Sequence, residues 1–315
     1  NSSNAALGLL MGNMYQKRRG RSWDLRKQSI ELWPKWIRFL QKYNYELNIN
    51  KPLIQLTTNE ERFKKFEKFI YENNDLNLQI LERDSIIIKN INKVFQTKNI
   101  RGMISLKDGR INAVSLLKTL NKYLKNKKIN FINEEIIKIR KSNNQWFSTT
   151  KTNNDIKSDI VILCNSLKAL DLIDNISHNI KLKPVLGQAI EVEINASEVN
   201  LLTLPEQFNI NGKNIIPITK NKLIIGSTDE YSTKPDKNVF GKITNFLDKK
   251  PNWLINGQVT RNWYGIRSRP EGEPSPIMKN FGNGLILCSG FYKNGILLAP
   301  ACAKWVANEI KNYFR

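Results

Sequence analysis

The sequence predicts an α/β protein in which a parallel-sheet domain interleaves with an antiparallel-sheet domain, and three features carry that expectation. Residues 158–166, SDIVILCNS, are a continuous apolar run ended by small polar residues, the mark of a parallel strand buried on both faces. From Lys183 the texture changes to short alternating runs, QAIEVEI, NIIPIT and KLIIGS, the last two joined through Lys220 and Asn221 as a hairpin. The stretch GLILCSGFYKNGILLAP, residues 284–300, reads as a strand, a polar bend at Lys293, Asn294 and Gly295, and a helix N-terminus. No repeat or low-complexity linker separates these textures, and 315 residues exceed what one small core requires, so the domains are expected to interleave.

Taken in order, the first helix is expected from a cap at Ser22, with Leu25, Leu32, Trp33, Trp36, Ile37 and Leu40 on one side and a kink or break at Pro34. Thr57 with Glu60, or Thr58 with Glu61, makes a capping box before Phe63, Phe66, Phe69 and Ile70, which read as core. Residues 107–128 read as a turn and an amphipathic helix with Val114, Leu117, Leu120 and Leu124 inward, followed by a strand within INFINEEIIKI. LKALDLI, 167–173, reads as helical.

Composition narrows the chemistry. The formal net charge is +22, from 50 Lys and Arg against 28 Asp and Glu. Trp23, Trp33 and Trp36 near basic residues resemble a nucleic-acid face, but the lysines are spread along the whole chain among many Asn and Ile, so they are read as solvated surface. An anionic substrate or cofactor would still be steered inward. No run of eighteen apolar residues occurs, and the N-terminal patch AALGLLMG precedes its basic residues, the reverse of signal-peptide order, which makes the cytoplasm the expected compartment. Cys164, Cys288 and Cys302 are odd in number and far apart, and read as reduced buried thiols. With His178 as the single histidine, in a polar segment, hydrolase triads and His-rich metal sites fall away, and the chemistry is expected to belong to a bound cofactor.

Four places carry a resemblance to a known family: SSNAALGLL at the start, KDGRIN before the helix at 113, KPVLGQ at 183–188, and WYGIRSRPEGEPSP with the C-terminal strand-turn-helix. Together they resemble the FAD-dependent D-amino-acid oxidase family, most closely its glycine-oxidase members, over nearly the whole chain. The resemblance implies an FAD-binding parallel-sheet domain from 1–44, 108–186 and 281–315, interleaved with an antiparallel-sheet substrate domain from 45–107 and 187–280. It places FAD against Ser2, Ser3, Leu7, Gly8 and Leu9, against Ile136, and against Phe291, Tyr292, Lys293, Asn294, Gly295, Ile296 and Leu297. The physical sense is that a helix N-terminus stabilises the anionic edge of a reduced flavin, while small residues let backbone approach a flat ring.

The implied activity is oxidation of the C–N bond of a small amino acid or amine by hydride transfer to flavin, with dioxygen or another acceptor regenerating it. A flavin dehydrogenase using a different acceptor, and a basic binding protein that has lost the cofactor, are the alternatives. Arg267 matches the carboxylate-binding position, Arg269 competes for it, and Lys293 faces the same substrate; no metal and no histidine base are called for. Three departures stand out. Phe291 and Lys293 replace His and Arg of the glycine-oxidase pattern, so a point charge replaces a planar fork. Asn214 and Ile215 stand where an aromatic hydroxyl is usual. The G-x-G-x-x-G turn that seats the pyrophosphate is absent from the 315 residues, and the chain reads as lacking that N-terminal strand-turn-helix.

Overall fold

The computed structural model of the chain describes residues 2–176 and 178–315. These divide into two units of three segments each: the first comprises the residues up to Arg18, Asn48–Ala113 and Leu186–Gly265, the second Arg19–Leu47, Val114–Val185 and Ile266–Arg315.

In chain order the elements begin with β1 (Leu9–Leu10), α1 (Arg21–Leu40), β2 (Ile49–Asn50), β3 (Leu53–Thr57), α2 (Glu60–Tyr71), β4 (Leu78–Leu81), α3 (Ile86–Phe95), β5 (Arg101–Ser105) and β6 (Gly109–Ile111). They continue with α4 (Ala113–Asn126), β7 (Ile136–Ser142), β8 (Gln145–Thr150), β9 (Asp155–Ser158), β10 (Val161–Leu163), β11 (Lys181–Glu193), β12 (Phe208–Ile210), β13 (Lys213–Thr219) and β14 (Lys222–Gly226). The last are α5 (Val239–Thr244), α6 (Asn252–Ile255), β15 (Gln258–Glu271), β16 (Ile277–Asn280), β17 (Leu285–Ser289) and α7 (Gly295–Tyr313).

The first unit is built on an eight-stranded sheet in the order β15-β11-β14-β13-β12-β3-β5-β4. The expected hairpin is β13–β14, Ile215 facing Ile225 across an antiparallel ladder. Only β12 and β3 run parallel within this sheet, among the strand pairs whose register is described. Side chains alternate across a strand, so β3 sends Leu53 to one face and Ile54 with Leu56 to the other. Leu53 meets Phe63, Phe66 and Phe69 of α2. Ile54 and Leu56 join Ile88, Ile91 and Phe95 of α3, whose phenyl ring stands edge-on to Phe208, Phe246 and Trp253. A small antiparallel sheet, β1-β6-β2, completes the unit.

The second unit holds the three-stranded sheet β10-β17-β16, the meander β7-β8-β9, and helices α1, α4 and α7. Here β10 runs parallel to β17, with Val161, Ile162 and Leu163 opposite Leu285, Ile286 and Leu287. α1 and α7 pack together through Trp33, whose indole Nε1 donates to Leu297 O at 3.0 Å, and through Ser29, whose Oγ accepts from Ala301 N.

Several local expectations are corrected. α1 is capped at Gly20, while Ser22 Oγ donates to Ser275 O, and the helix runs unbroken through Pro34 because its packing on α7 outweighs one lost backbone bond. At α2 the cap is Asn59, whose side chain accepts from Arg62 N at 2.8 Å; Thr57 Oγ1 is already taken by Asn59 N. α4 buries Ala113, Leu116 and Thr119, leaving Val114 exposed. Ile162 is 39% exposed, so β10 is covered on one face rather than two, and 167–173 yields only a 3-10 turn at Ser166–Ala169. Cys164 is exposed; Cys288 and Cys302 are buried and reduced. No helix among the described residues is long and apolar enough to cross a membrane.

Candidate active site

In the first unit, the segment carrying Ser2, Ser3, Leu7, Gly8 and Leu9 is tied down chiefly by its backbone. Ala6 N closes a turn onto Ser3 O, Trp263 Nε1 donates to Ala5 O, and Arg110 Nε donates to Leu7 O at 2.9 Å. Gly8 sits at φ +80 with its carbonyl accepting from Ile111 N; a Cβ there would lie 1.8 Å from Ile111 O, so only glycine fits. Gly226 and Gly265 play the same part from the sheet, since a Cβ on Gly226 would meet Leu7 and one on Gly265 would meet Ala5 and Ser2. The segment continues into Gly12, Asn13 and Met14, whose N–H groups converge on the buried carboxylate of Asp108. Asp108 and Arg110 of the DGRIN motif therefore hold the two ends of this segment. Burial lowers the Arg110 guanidinium below its usual range, and Glu206 acts in the opposite sense. In the same unit, Asn214 Oδ1 accepts from Asn209 Nδ2 and Ile215 is fully buried.

In the second unit, strand β15 carries Arg267 and Arg269 on one side, two residues apart, while Ser268 and Pro270 between and beyond them point into the interior. The strand is joined to the loop after β17: Tyr292 N donates to Ser268 O at 3.0 Å, and Tyr292 adopts φ +52, a conformation a bulky aromatic residue rarely takes. That bond presents the Tyr292 ring to two cations, with the Arg269 guanidinium 5.4 Å and the Lys293 ammonium 5.1 Å from its centroid. Arg269, Tyr292 and Lys293 thus meet, and Arg267 stands on the same side of β15, half-buried. Ile136 is placed elsewhere, at the start of β7, where it lines a cavity of ≈ 630 Å³ with Val161, Leu163, Cys164 and Asn165. Ser166, next to Asn165 of the cavity wall, accepts at 3.0 Å from Ser289 Oγ at the end of β17.

The first turn of α7 fits the anionic edge of a reduced flavin. Asn294, at the N-cap, makes no side-chain cap bond; its Oδ1 accepts instead from Arg26, a 5%-exposed arginine of α1. The leading N–H groups of Gly295, Ile296 and Leu297 have no acceptor within the helix. Gly295 is exposed, and a Cβ on it would meet only Phe291, at 3.7 Å, so the backbone there is open to a flat partner. A buried guanidinium beside a helix N-terminus concentrates positive potential at one place. Sequence reasoning had not singled out Arg26. Its signal was visible as an arginine at helical spacing from Trp33, Ile37 and Leu40, on the buried face of α1.

Comparison with known proteins points the same way. The sequence profile of a family described as FAD dependent oxidoreductase (DAO) matches residues 1–309. A glycine oxidase of Geobacillus kaustophilus is 27% identical over 164 residues, 51% of this chain and 42% of that relative. A glycine oxidase of Pseudomonas aeruginosa is 29% identical over 159 residues, 49% of this chain and 42% of the relative. The aligned stretch thus spans less than half the length of each of these curated relatives. Among solved structures, glycine oxidase from Bacillus cereus superposes with a TM-score of 0.82 at 19% identity, covering 99% of this chain and 87% of its own. Iminodiacetate oxidase from Chelativorans gives 0.83 at 13% identity, covering 99% and 86%.

Proposed function

Because this chain belongs to the DAO family of FAD-dependent oxidoreductases, we propose that it oxidises the carbon–nitrogen bond of a small amino acid or amine, with FAD as its cofactor. The observation that carries the proposal is the cationic group on β15 and the loop after β17, set beside an open helix N-terminus. Bound FAD would supply the hydride acceptor. Arg267 is assigned to the substrate carboxylate, which its planar fork can grip with two parallel hydrogen bonds; Arg269, stacked on Tyr292, is its competitor. Lys293 adds a point charge 5.1 Å from the centroid of the same ring. The first turn of α7, reinforced by Arg26, supports negative charge on the ring system, while Phe291 to Leu297 and Ile136 supply apolar and backbone contact. On the first unit, Ser2, Ser3 and Leu7 to Leu9 are assigned to the cofactor through their backbone.

The reading is tested by reducing the flavin-loaded protein anaerobically with a panel of D-amino acids, glycine and N-methylglycine, and following loss of the visible flavin band. Bleaching by at least one carboxylate-bearing amine is expected, and re-admission of dioxygen then distinguishes an oxidase from a dehydrogenase. Protein that dithionite bleaches but no member of the panel does would overturn the proposal.

A further inference from the structure

Three sulfur atoms meet beneath α7, away from the residues assigned above. Strands β16 and β17 pair antiparallel with Met278 directly opposite Cys288. On this ladder Ile277, Leu285 and Leu287 face the apolar core of the second unit, so Met278 and Cys288, each one step out of phase, share the other face. Cys302 of α7 closes the group. Its thiol donates to Met278 Sδ, with the two sulfurs 3.8 Å apart, and Met278 in turn sits opposite Cys288 on the ladder. Cys288 and Cys302 are 3% and 2% exposed, whereas Met278 is only half-buried and opens the group toward solvent.

We propose that Met278, Cys288 and Cys302 form a binding site for a thiophilic monovalent d10 cation of the Cu(I) and Ag(I) class. The geometry suits it. A cation about 2.3 Å from each of three sulfurs in a trigonal plane requires sulfurs about 4 Å apart, and the observed pair needs almost no movement to comply. Zn(II) also takes thiolates but completes a tetrahedron of four ligands, whereas three sulfurs including a neutral thioether suit the low coordination number of a soft monovalent cation. On binding, each thiol releases its proton to water and forms one sulfur–metal bond, while the thioether donates a lone pair. No atom changes oxidation state. The complex carries one surplus negative charge, within a chain of formal net charge +22.

The test uses Ag(I) nitrate in chloride-free buffer, added to the 315-residue chain carrying Cys164→Ala so that the exposed thiol does not compete. After desalting, native mass spectrometry should find one silver per chain. Adding Cys288→Ala or Cys302→Ala should abolish retention, and Met278→Leu, which conserves volume and so preserves folding, should weaken it while leaving the stoichiometry at one. Zn(II) offered in the same way should wash out. Failure of the Cys164→Ala protein to retain silver, retention undiminished by Met278→Leu and Cys302→Ala, or equal retention of Zn(II), would each overturn the proposal.

Discussion

Asn13 donates both its backbone N–H and its side-chain amide to a single oxygen, Oδ1 of the buried Asp108 carboxylate, at 2.9 and 3.0 Å. Gly12 N adds a third bond to that oxygen, and Met14 N donates to Oδ2 at 2.8 Å. Only a carboxylate presents acceptors on both sides. Asp108→Asn would set an amide donor against one of these donors, and should lower the unfolding free energy by about 3 kcal/mol, against about 1 kcal/mol for Asn13→Ala, which removes one neutral partner. Equilibrium urea denaturation measures both, and equal losses would refute the assignment of Asp108 as the anchor.

Gly8 and Gly212 separate steric cost from backbone cost. Both adopt positive φ, +80 and +88, but a Cβ on Gly8 would strike Ile111 O at 1.8 Å whereas one on Gly212 meets nothing within 4 Å. Gly212→Ala should therefore cost only the left-handed backbone term, roughly 1 kcal/mol. Gly8→Ala should cost several times more, because the clash is with backbone that β6 holds in place. Thermal denaturation of the two variants side by side decides it; similar midpoints would mean that the N-terminal segment yields freely.

Arg267→Ala should raise KM steeply, by roughly 2 to 4 kcal/mol of lost carboxylate binding, with flavin content unchanged. If Arg269→Ala is the damaging change and Arg267→Ala is not, the role moves two residues along the same side of β15. Lys293→Arg, which restores a planar fork beside Tyr292, should improve kcat/KM for glycine; no gain removes Lys293 from the substrate assignment.

Glu230 lies within hydrogen-bond reach of Gln188 Nε2 at 3.0 Å and of Lys242 at 3.5 Å. Burial alone would raise its pKa, but hydrogen bonds from Thr228 and Gln188 and the Lys242 ammonium hold it below the usual carboxylate value. A depressed folded pKa means that the unfolded chain binds the proton more readily. The stabilisation is thus complete above the unfolded pKa, near 4.3, and disappears as pH falls through the folded value. Glu230→Gln should flatten this part of the profile. Urea midpoints for parent and variant at pH about 6 and about 3 should converge at the lower pH; a constant gap would count against the linkage.

Much of the architecture was legible because it is periodic. The β13–β14 hairpin, the Phe63, Phe66 and Phe69 stripe of α2, and the β17-turn-α7 unit each follow from a repeat of two or of three to four residues, which reports the surroundings of one element at a time. Choices among neighbours of similar chemistry were not legible. Thr57, Thr58 and Asn59 all carry cap oxygens, and the chain's path out of β3 selected Asn59 by committing Thr57 to Asn59 N. At α4 the sequence offers two overlapping apolar faces, and packing chose the one containing Leu116 over the one containing Val114.

By itself, then, the sequence determined most of the elements and the two β textures, since these depend on periodic burial. Tertiary structure decided which distant groups meet: Asp108 with the N–H groups of Gly12 to Met14, Arg26 with Asn294, Arg269 with Tyr292, and Cys302 with Met278. The reason is physical. A buried charge or a sulfur takes its character from partners within a few ångströms, and those partners, 24 residues apart at Met278 and Cys302 and 268 apart at Arg26 and Asn294, are brought together only by how helices and strands pack.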